Sequence, residues 1–500
     1  MHPIDFLWRR IACAPDLPAV IGEDRTYSYA DLGRAVQDRA VSLLRLDDEL
    51  GGKVAIGAAN TVDHLLALLS SFAAGKVWVP LNPRSGTPEI QRIIEFVRPG
   101  VILGDADMAG RLNPLGIDVI DVAAIGKDSV DAGTALPFGP QALTDLPSES
   151  PMAVKFTGGT TGQPKGVIQT FRTWTANIVT QVHELGLTER DRYLVAAPIT
   201  HGTGTYMMPL FAAGGALVFP NHSDPEGMLD AIEKHRVTLF FAPATLIMKL
   251  AEVQKAHPRD LSSLRLVIYG GAPMRPEQIR QAQAVFGPII CATYGQTEAP
   301  QIITFLPPDE LTDDRIASVG RPSLMTRVAI LDSDGRMLPA GEVGEIAVRG
   351  DLVMGGYLDA PEETGKTLVN GWLRTGDSGL IDDQGYLFLR DRLRDVIITG
   401  GFNVYPSDVE TVLASHPAVA DCAVVGIPDD KWGEAVHAAV ELKAGATVTA
   451  ETLTALVREQ LGPVKTPKQI HFFDDLPRSA VAKVLKPAIR NVIQAKDLAR

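Results

Sequence analysis

Cysteine is scarce in this chain: Cys13, Cys291 and Cys422 are odd in number, far apart, and form no CxxC pair. That excludes a disulfide framework and a structural zinc site, and it points to a reduced, cytoplasmic protein. Basic blocks are absent as well. The formal net charge is −13, so neither a nucleic-acid partner nor an anionic membrane surface is expected. Long apolar runs are missing too. The longest, residues 65–81, is interrupted by Ser70, Ser71 and Lys76 and falls short of the ~20 apolar residues a spanning helix needs. It reads as a buried helix followed by the strand Val77–Pro80, and no stable membrane anchor is expected. At the N-terminus the arginines Arg9 and Arg10 follow the apolar part, the wrong order for a secretory signal. There is no repeat and no low-complexity tract, and 45% hydrophobic with 21% charged residues is a globular composition.

With 500 residues the chain exceeds one ordinary core, so two or more domains are expected. From about 53 to 300, short β-branched runs alternate with helical patterns: Lys53–Ala58 then 62–73, Tyr193–Ala197 then 205–213, Thr238–Phe241 then 244–254, Leu266–Tyr269 then 276–286. This alternation predicts an α/β fold, with helix-flanked sheets of parallel strands. Between 317 and 390 short strands separated by Asp-Gly, Ala-Gly and Gln-Gly turns predict a small β-rich subdomain. After 392 an α+β pattern of roughly 110 residues is large enough to fold alone. The expected division is therefore 1–391 and 392–500, with the charged run Asp391-Arg392-Leu393-Arg394-Asp395 as linker or hinge.

Residues 154–166, V-K-F-T-G-G-T-T-G-Q-P-K-G, hold the densest chemistry. An apolar run ends in Thr157, Gly158, Gly159, Thr160, Thr161 and Gly162, and Lys165 follows. Glycines allow close backbone approach, while N–H groups, hydroxyls and an ammonium offset negative charge, which suits a polyphosphate. It is not a Walker A loop, because Lys165 is followed by Gly166 rather than Ser or Thr. An ordinary strand-to-helix turn is the alternative.

Downstream, in order, stand Tyr294-Gly295-Gln296-Thr297-Glu298, Arg374-Thr375-Gly376-Asp377 and Arg392 through Gly401. With the loop at 157–166, these strings resemble the adenylate-forming superfamily of acyl-CoA synthetases, adenylation domains and luciferases. The resemblance runs from Arg25 to Lys483. It implies a large N-terminal domain, a small mobile C-terminal domain, and an AMP-forming acid–CoA ligase using ATP, Mg²⁺ and CoA.

The chemistry explains why such residues are needed. A carboxylate is a poor electrophile; attack on the α-phosphorus of ATP gives an acyl-adenylate and pyrophosphate, and a thiol then displaces AMP. Both steps crowd negative charge and call for cations and positioned donors. By resemblance Glu298 holds Mg²⁺ and Thr297 meets the α-phosphate. Tyr294 stacks on adenine, and Asp377 binds the ribose hydroxyls with Arg392 beside it. Lys483 is the adenylation lysine, although Ala482 and Lys486 stand where the family usually has Gly and Arg. Gly400 and Gly401 lie in the loop 399–405 that serves the thiol step, and His201 gates the acyl tunnel. Read singly, each has a plainer role: a surface acid, a turn aspartate, a core tyrosine, a solvated lysine, a loop histidine.

The segments resembling the family's acyl pocket are 201–208, 240–245, 270–273 and 293–300, including His201, Ala242, Gly271, Ala272 and Gly295. Apart from Glu298 they carry no fixed charge, and Gly202 stands where amino-acid-activating relatives place Asp. A buried unpaired ammonium is costly, so the expected substrate is an uncharged fatty or aromatic acid. The alternatives are a free-standing ligase that loads a carrier protein and a non-catalytic nucleotide-binding regulator.

Overall fold

The computed structural model describes residues 2–126, 136–139, 146–157, 165–272, 274–392, 395–429, 431–479 and 484–498. The chain divides into two compact units, Met1–Val328 with Ala347–Arg374, and Ala329–Ile346 with Thr375–Arg500. The β-rich region expected at 317–390 is thus shared out. Its parts at 329–346 and 375–390 cluster with the C-terminal unit, so that unit is larger than the span 392–500.

The first unit holds a nine-stranded and a seven-stranded sheet. In the nine-stranded sheet Leu239–Ala242, Leu266–Gly270 and Ile290–Tyr294 run parallel, with Ala242 beside Tyr269 and Gly270 beside Thr293. Their carboxyl ends therefore share one edge, where open α/β sheets place ligands. In the seven-stranded sheet Lys53–Gly57 and Val77–Pro80 are parallel neighbours, and Pro151–Thr157 continues from Val77–Pro80. Strand Lys165–Thr170 then turns back antiparallel, pairing Lys165 with Thr157.

The interrupted apolar run behaves as expected. Helix Val62–Ala73, N-capped by the Thr61 side chain, is buried from His64 to Ala73 and leads into Val77–Pro80. Its serines are satisfied inside the core: Ser70 donates to Val36 O at 3.1 Å and Ser71 to Ala67 O at 2.8 Å. Lys76 is buried but paired, donating to Glu49 O at 2.6 Å with Asp47 3.2 Å away. Buried polar groups cost little once bonded in this way. Among the described residues no helix is long and apolar enough to cross a membrane.

In the second unit, strands Val419–Asp429 and Gly433–Leu442 form a long antiparallel pair, and Gln469–Phe473 joins in parallel. One face packs on helices Pro406–Ala414 and Ala450–Lys465 through Val409, Val412, Leu413, Leu453 and Val457. On the other, Ile489 and Ile493 of helix Lys486–Leu498 pack against Ala423, Val425 and Ile427.

Candidate functional site

Of the expected phosphate loop, Thr157 and Lys165 pair across two antiparallel strands, and Gly158, Gly159, Thr160, Thr161 and Gly162 lie outside the described residues. Lys165 Nζ meets Glu363 Oε2 at 2.8 Å and lies 5.5 Å from the centre of the Tyr357 ring. Tyr357 OH donates to Glu298 Oε1 at 2.9 Å. One segment makes both contacts. Met354 N donates to Glu298 O at 2.8 Å, Gly356 and Tyr357 pair with Ile168 and Val167, and Leu358 N donates to Gly166 O at 2.7 Å. The first turn of helix Pro361–Thr367 then delivers Glu363. The stretch 354–363 is therefore a strap tying Glu298, in the loop after strand Ile290–Tyr294, to Lys165, which opens the last long strand of the seven-stranded sheet.

The local electrostatics follow from these contacts. Lys165, and after it Lys366, holds the Glu363 carboxyl down at about 2. Burial, then the neighbouring Glu298 charge, pushes the Tyr357 phenol up, so it stays a donor. Thr297 is half-buried, and its carbonyl accepts from Gln169 Nε2 at 2.9 Å. Tyr294 closes its strand and is buried. Among the described residues Tyr357 is the donor seen on the Glu298 carboxylate, which leaves Oε2 open. One open carboxylate oxygen fits Mg²⁺, which takes one or two carboxylates and completes its shell with phosphates and water.

The residues expected for the acyl pocket lie around the shared strand edge. Ala242 is fully buried, Gly271 is exposed with φ +78°, and Ala272 follows it half-buried. Gly295 is shaped by its neighbour: a Cβ there would come within 2.5–2.7 Å of the Gln301 backbone. His201 precedes helix Gly202–Ala213 and is exposed, with Nδ1 2.9 Å from Thr200 Oγ1. Phe241, part of the expected segment 240–245 though not singled out there, organises this edge. Its ring lies 2.3 Å from where a Gly202 Cβ would sit and 3.2 Å from that of Gly270, and it stacks on Tyr206 at 5.3 Å.

A second omission is Lys155, two residues before Thr157. It is buried at 7% exposure, with its ammonium 4.8 Å from the Trp78 ring centre and 5.4 Å from that of Trp174. Burial pulls its pKa down to about 7. Facing indoles offset part of the desolvation cost.

The second unit carries the remaining candidates. Asp377 and Arg392 are directly opposite on the antiparallel strands Trp372–Ile381 and Leu387–Arg392, with Arg392 Nε 3.7 Å from Asp377 Oδ1. Gly376, at φ +70°, makes the bend before Asp377, and Thr375 Oγ1 accepts from Asp377 N at 3.1 Å. Gly400 and Gly401 take φ +57° and +84° between strands Ile397–Thr399 and Phe402–Val404. Gly400 N donates to Trp432 O at 2.8 Å, and a Cβ on Gly400 would approach the Trp432 ring to 3.0 Å. Lys431 and Lys468 flank that ring at 4.9 and 5.1 Å. Lys483, Ala482, Arg394 and Pro273 lie outside the described residues. Lys486 is anchored: burial works against its charge, yet Glu410 at 2.8 Å and Asp391 at 3.7 Å raise its pKa above the ordinary value.

Comparison with known proteins identifies the family. A family model described as AMP-binding enzyme matches residues 7–358, and one described as AMP-binding enzyme C-terminal domain matches 408–483. A medium/long-chain-fatty-acid–CoA ligase of Mycobacterium tuberculosis is 40% identical over 366 residues, which span 71% of this chain and 64% of that protein. A feruloyl-CoA synthase of Amycolatopsis sp. is 35% identical over 96% of this chain and 97% of its own length. Among solved structures, the amide bond synthetase McbA from Marinactinospora thermotolerans superposes with a TM-score of 0.88 at 33% identity, covering 98% of this chain and 99% of that one. The chain belongs to the AMP-binding enzyme family, within the adenylate-forming superfamily and alongside its acid–thiol ligases.

Proposed function

We propose that the protein activates a carboxylic acid with ATP to an acyl-adenylate and transfers the acyl group to coenzyme A. The observation that carries this reading is the strap, which binds the Glu298 carboxylate through Tyr357 and the Lys165 ammonium through Glu363. In this reading Lys165 and the loop 157–162 take the β- and γ-phosphates and Thr297 the α-phosphate. Asp377 and Arg392 hold the ribose, Tyr294 the adenine, and Lys483 the reacting carboxylate. Mg²⁺ on Glu298 would supply charge neutralisation at the phosphates. Placement of cations where charge develops is the chief means such an enzyme has of accelerating the first step.

For the acceptor, CoA is supported by the exposed Trp432 with Lys431 and Lys468 beside Gly400. An aromatic face with flanking ammonium groups suits a nucleotide head, and paired glycines admit a pantetheine arm. For the acid, an uncharged fatty or aromatic substrate is supported by Gly202. The Phe241 ring fills the space an Asp would need there, so an α-ammonium finds no counter-ion at that position.

The test is release of AMP and pyrophosphate over a panel of fatty, aromatic and amino acids, with CoA, a carrier protein or a simple amine as acceptor. CoA-dependent AMP release with an uncharged acid supports the reading. Product formed only with an amine or a carrier protein would replace CoA as acceptor. No pyrophosphate with any acid would leave a nucleotide-binding regulator.

A further inference from the structure

We propose that Tyr357 is a positioning residue for the nucleotide's divalent cation, acting through Glu298. The proposal rests on the reading of Glu298 as metal ligand given above and adds the group that orients it. Glu298 follows a strand end by four residues and is half-buried, so its side chain has several rotamers open to it. Holding a flexible carboxylate in one rotamer costs entropy that a fixed donor can offset. Tyr357 supplies that donor: its hydroxyl bonds Oε1 at 2.9 Å, and among the described residues no donor is seen on Oε2. Orienting partners of this kind typically control ligand affinity by 10- to 100-fold at metal sites.

Tyr357 is itself held on every side. Its backbone pairs with Val167, its N–H donates to Thr364 Oγ1 at 2.9 Å, and its ring carries Lys165 Nζ at 5.5 Å. Arg172 Nη1 holds the strap upstream through Asp351 O and Val353 O at 2.8 and 3.0 Å. The donor is thus rigid relative to the strand that delivers Lys165. The same ring that orients the metal carboxylate also seats the phosphate lysine, so cation and polyphosphate are registered by one side chain.

The test is Tyr357→Phe, which removes one oxygen and keeps the ring under Lys165. Calorimetry of ATP binding, with Mg²⁺ and with EDTA, measures how much the metal tightens the nucleotide. In Tyr357→Phe that gain should shrink about tenfold, while metal-free ATP affinity stays within twofold of the unaltered enzyme. The Mg²⁺ concentration giving half-maximal pyrophosphate release should rise by a similar factor, with turnover recovering at high Mg²⁺. Glu298→Gln separates the two levels of the argument. Loss of the magnesium gain in Glu298→Gln with full retention in Tyr357→Phe would overturn the positioning role alone. An unchanged gain in Glu298→Gln would overturn the metal reading and this inference with it. Equal weakening with and without Mg²⁺ in Tyr357→Phe would mark a general structural role and also overturn the proposal.

Discussion

Lys165 Nζ and Glu363 Oε2 stand 2.8 Å apart although 198 residues separate them in sequence. The lysine expected to bind phosphate is thus already paired with a carboxylate, and in the proposed reading an incoming polyphosphate competes with Glu363 for it. Both side chains are about a third exposed or more, at 34% and 40%. Pairs so exposed contribute little and are screened by salt.

Glu363→Gln should therefore lower the KM for ATP modestly, by about two- to fivefold. The effect should fade as ionic strength rises, because it removes a screened competitor. Steady-state kinetics at low and high salt would show it. A raised KM would mean instead that Glu363 holds Lys165 in its working place.

For Lys483 the expectation rests on family membership and on the chemistry of the first step. Lys483→Ala should stop adenylate formation and spare thioester formation from a supplied acyl-adenylate, with a loss of ~10²–10³ in the first half-reaction. Single-turnover measurements of pyrophosphate release and of thioester formation separate the two. Equal loss in both would remove the division of labour.

The Phe241 contact gives a third expectation. In Gly202→Ala the new methyl would lie 2.3 Å from the ring, so Phe241 must move, and overpacking of this kind costs ~1–3 kcal/mol. Tyr206, stacked behind Phe241, resists the shift. Turnover of a bulky aromatic acid should fall more than that of a short aliphatic one. Equal turnover ratios across an acid panel would place the acyl pocket away from this edge.

Much of this fold could be read from local pattern. Helices Val62–Ala73 and Pro276–Phe286 stand where the apolar spacing put them, bounded by a Thr61 cap and an initial proline. The strand expected at Tyr193–Ala197 instead spans Arg192–Leu194, because Ala196 N turns back to Leu194 O and ends it. Helix Gly202–Ala213 starts three residues before the expected 205. The site was legible only where a local string marks it. Tyr357 and Glu363 belong to no such string; their meaning comes from pairing with residues 59 and 198 positions away. Lys155 was hidden for another reason. In an alternating strand a lysine suggests a solvent face, but this strand is covered on both sides, as is common next to parallel partners.

That lysine yields a prediction about pH. Its folded pKa is about 7, against an ordinary lysine value of ~10.4 in the unfolded chain. Below pH 7 both states are protonated and the full cost of burying the charge is present. Between about 7 and 10 the unfolded chain holds a proton that the folded one lacks, so this group makes stability rise with pH. At ~1.4 kcal/mol per unit the span amounts to a few kcal/mol, reduced by the facing indoles Trp78 and Trp174. Lys155→Met keeps the length and apolar stem without the charge. It should be more stable than the unaltered protein at pH 7, and its advantage should narrow steadily towards pH 9.5. Denaturant midpoints of both proteins at several pH values measure this directly. A gap that stays constant from pH 7 to 9.5 would show that the amine keeps its proton throughout, and that the two indoles, not deprotonation, carry the cost of its burial.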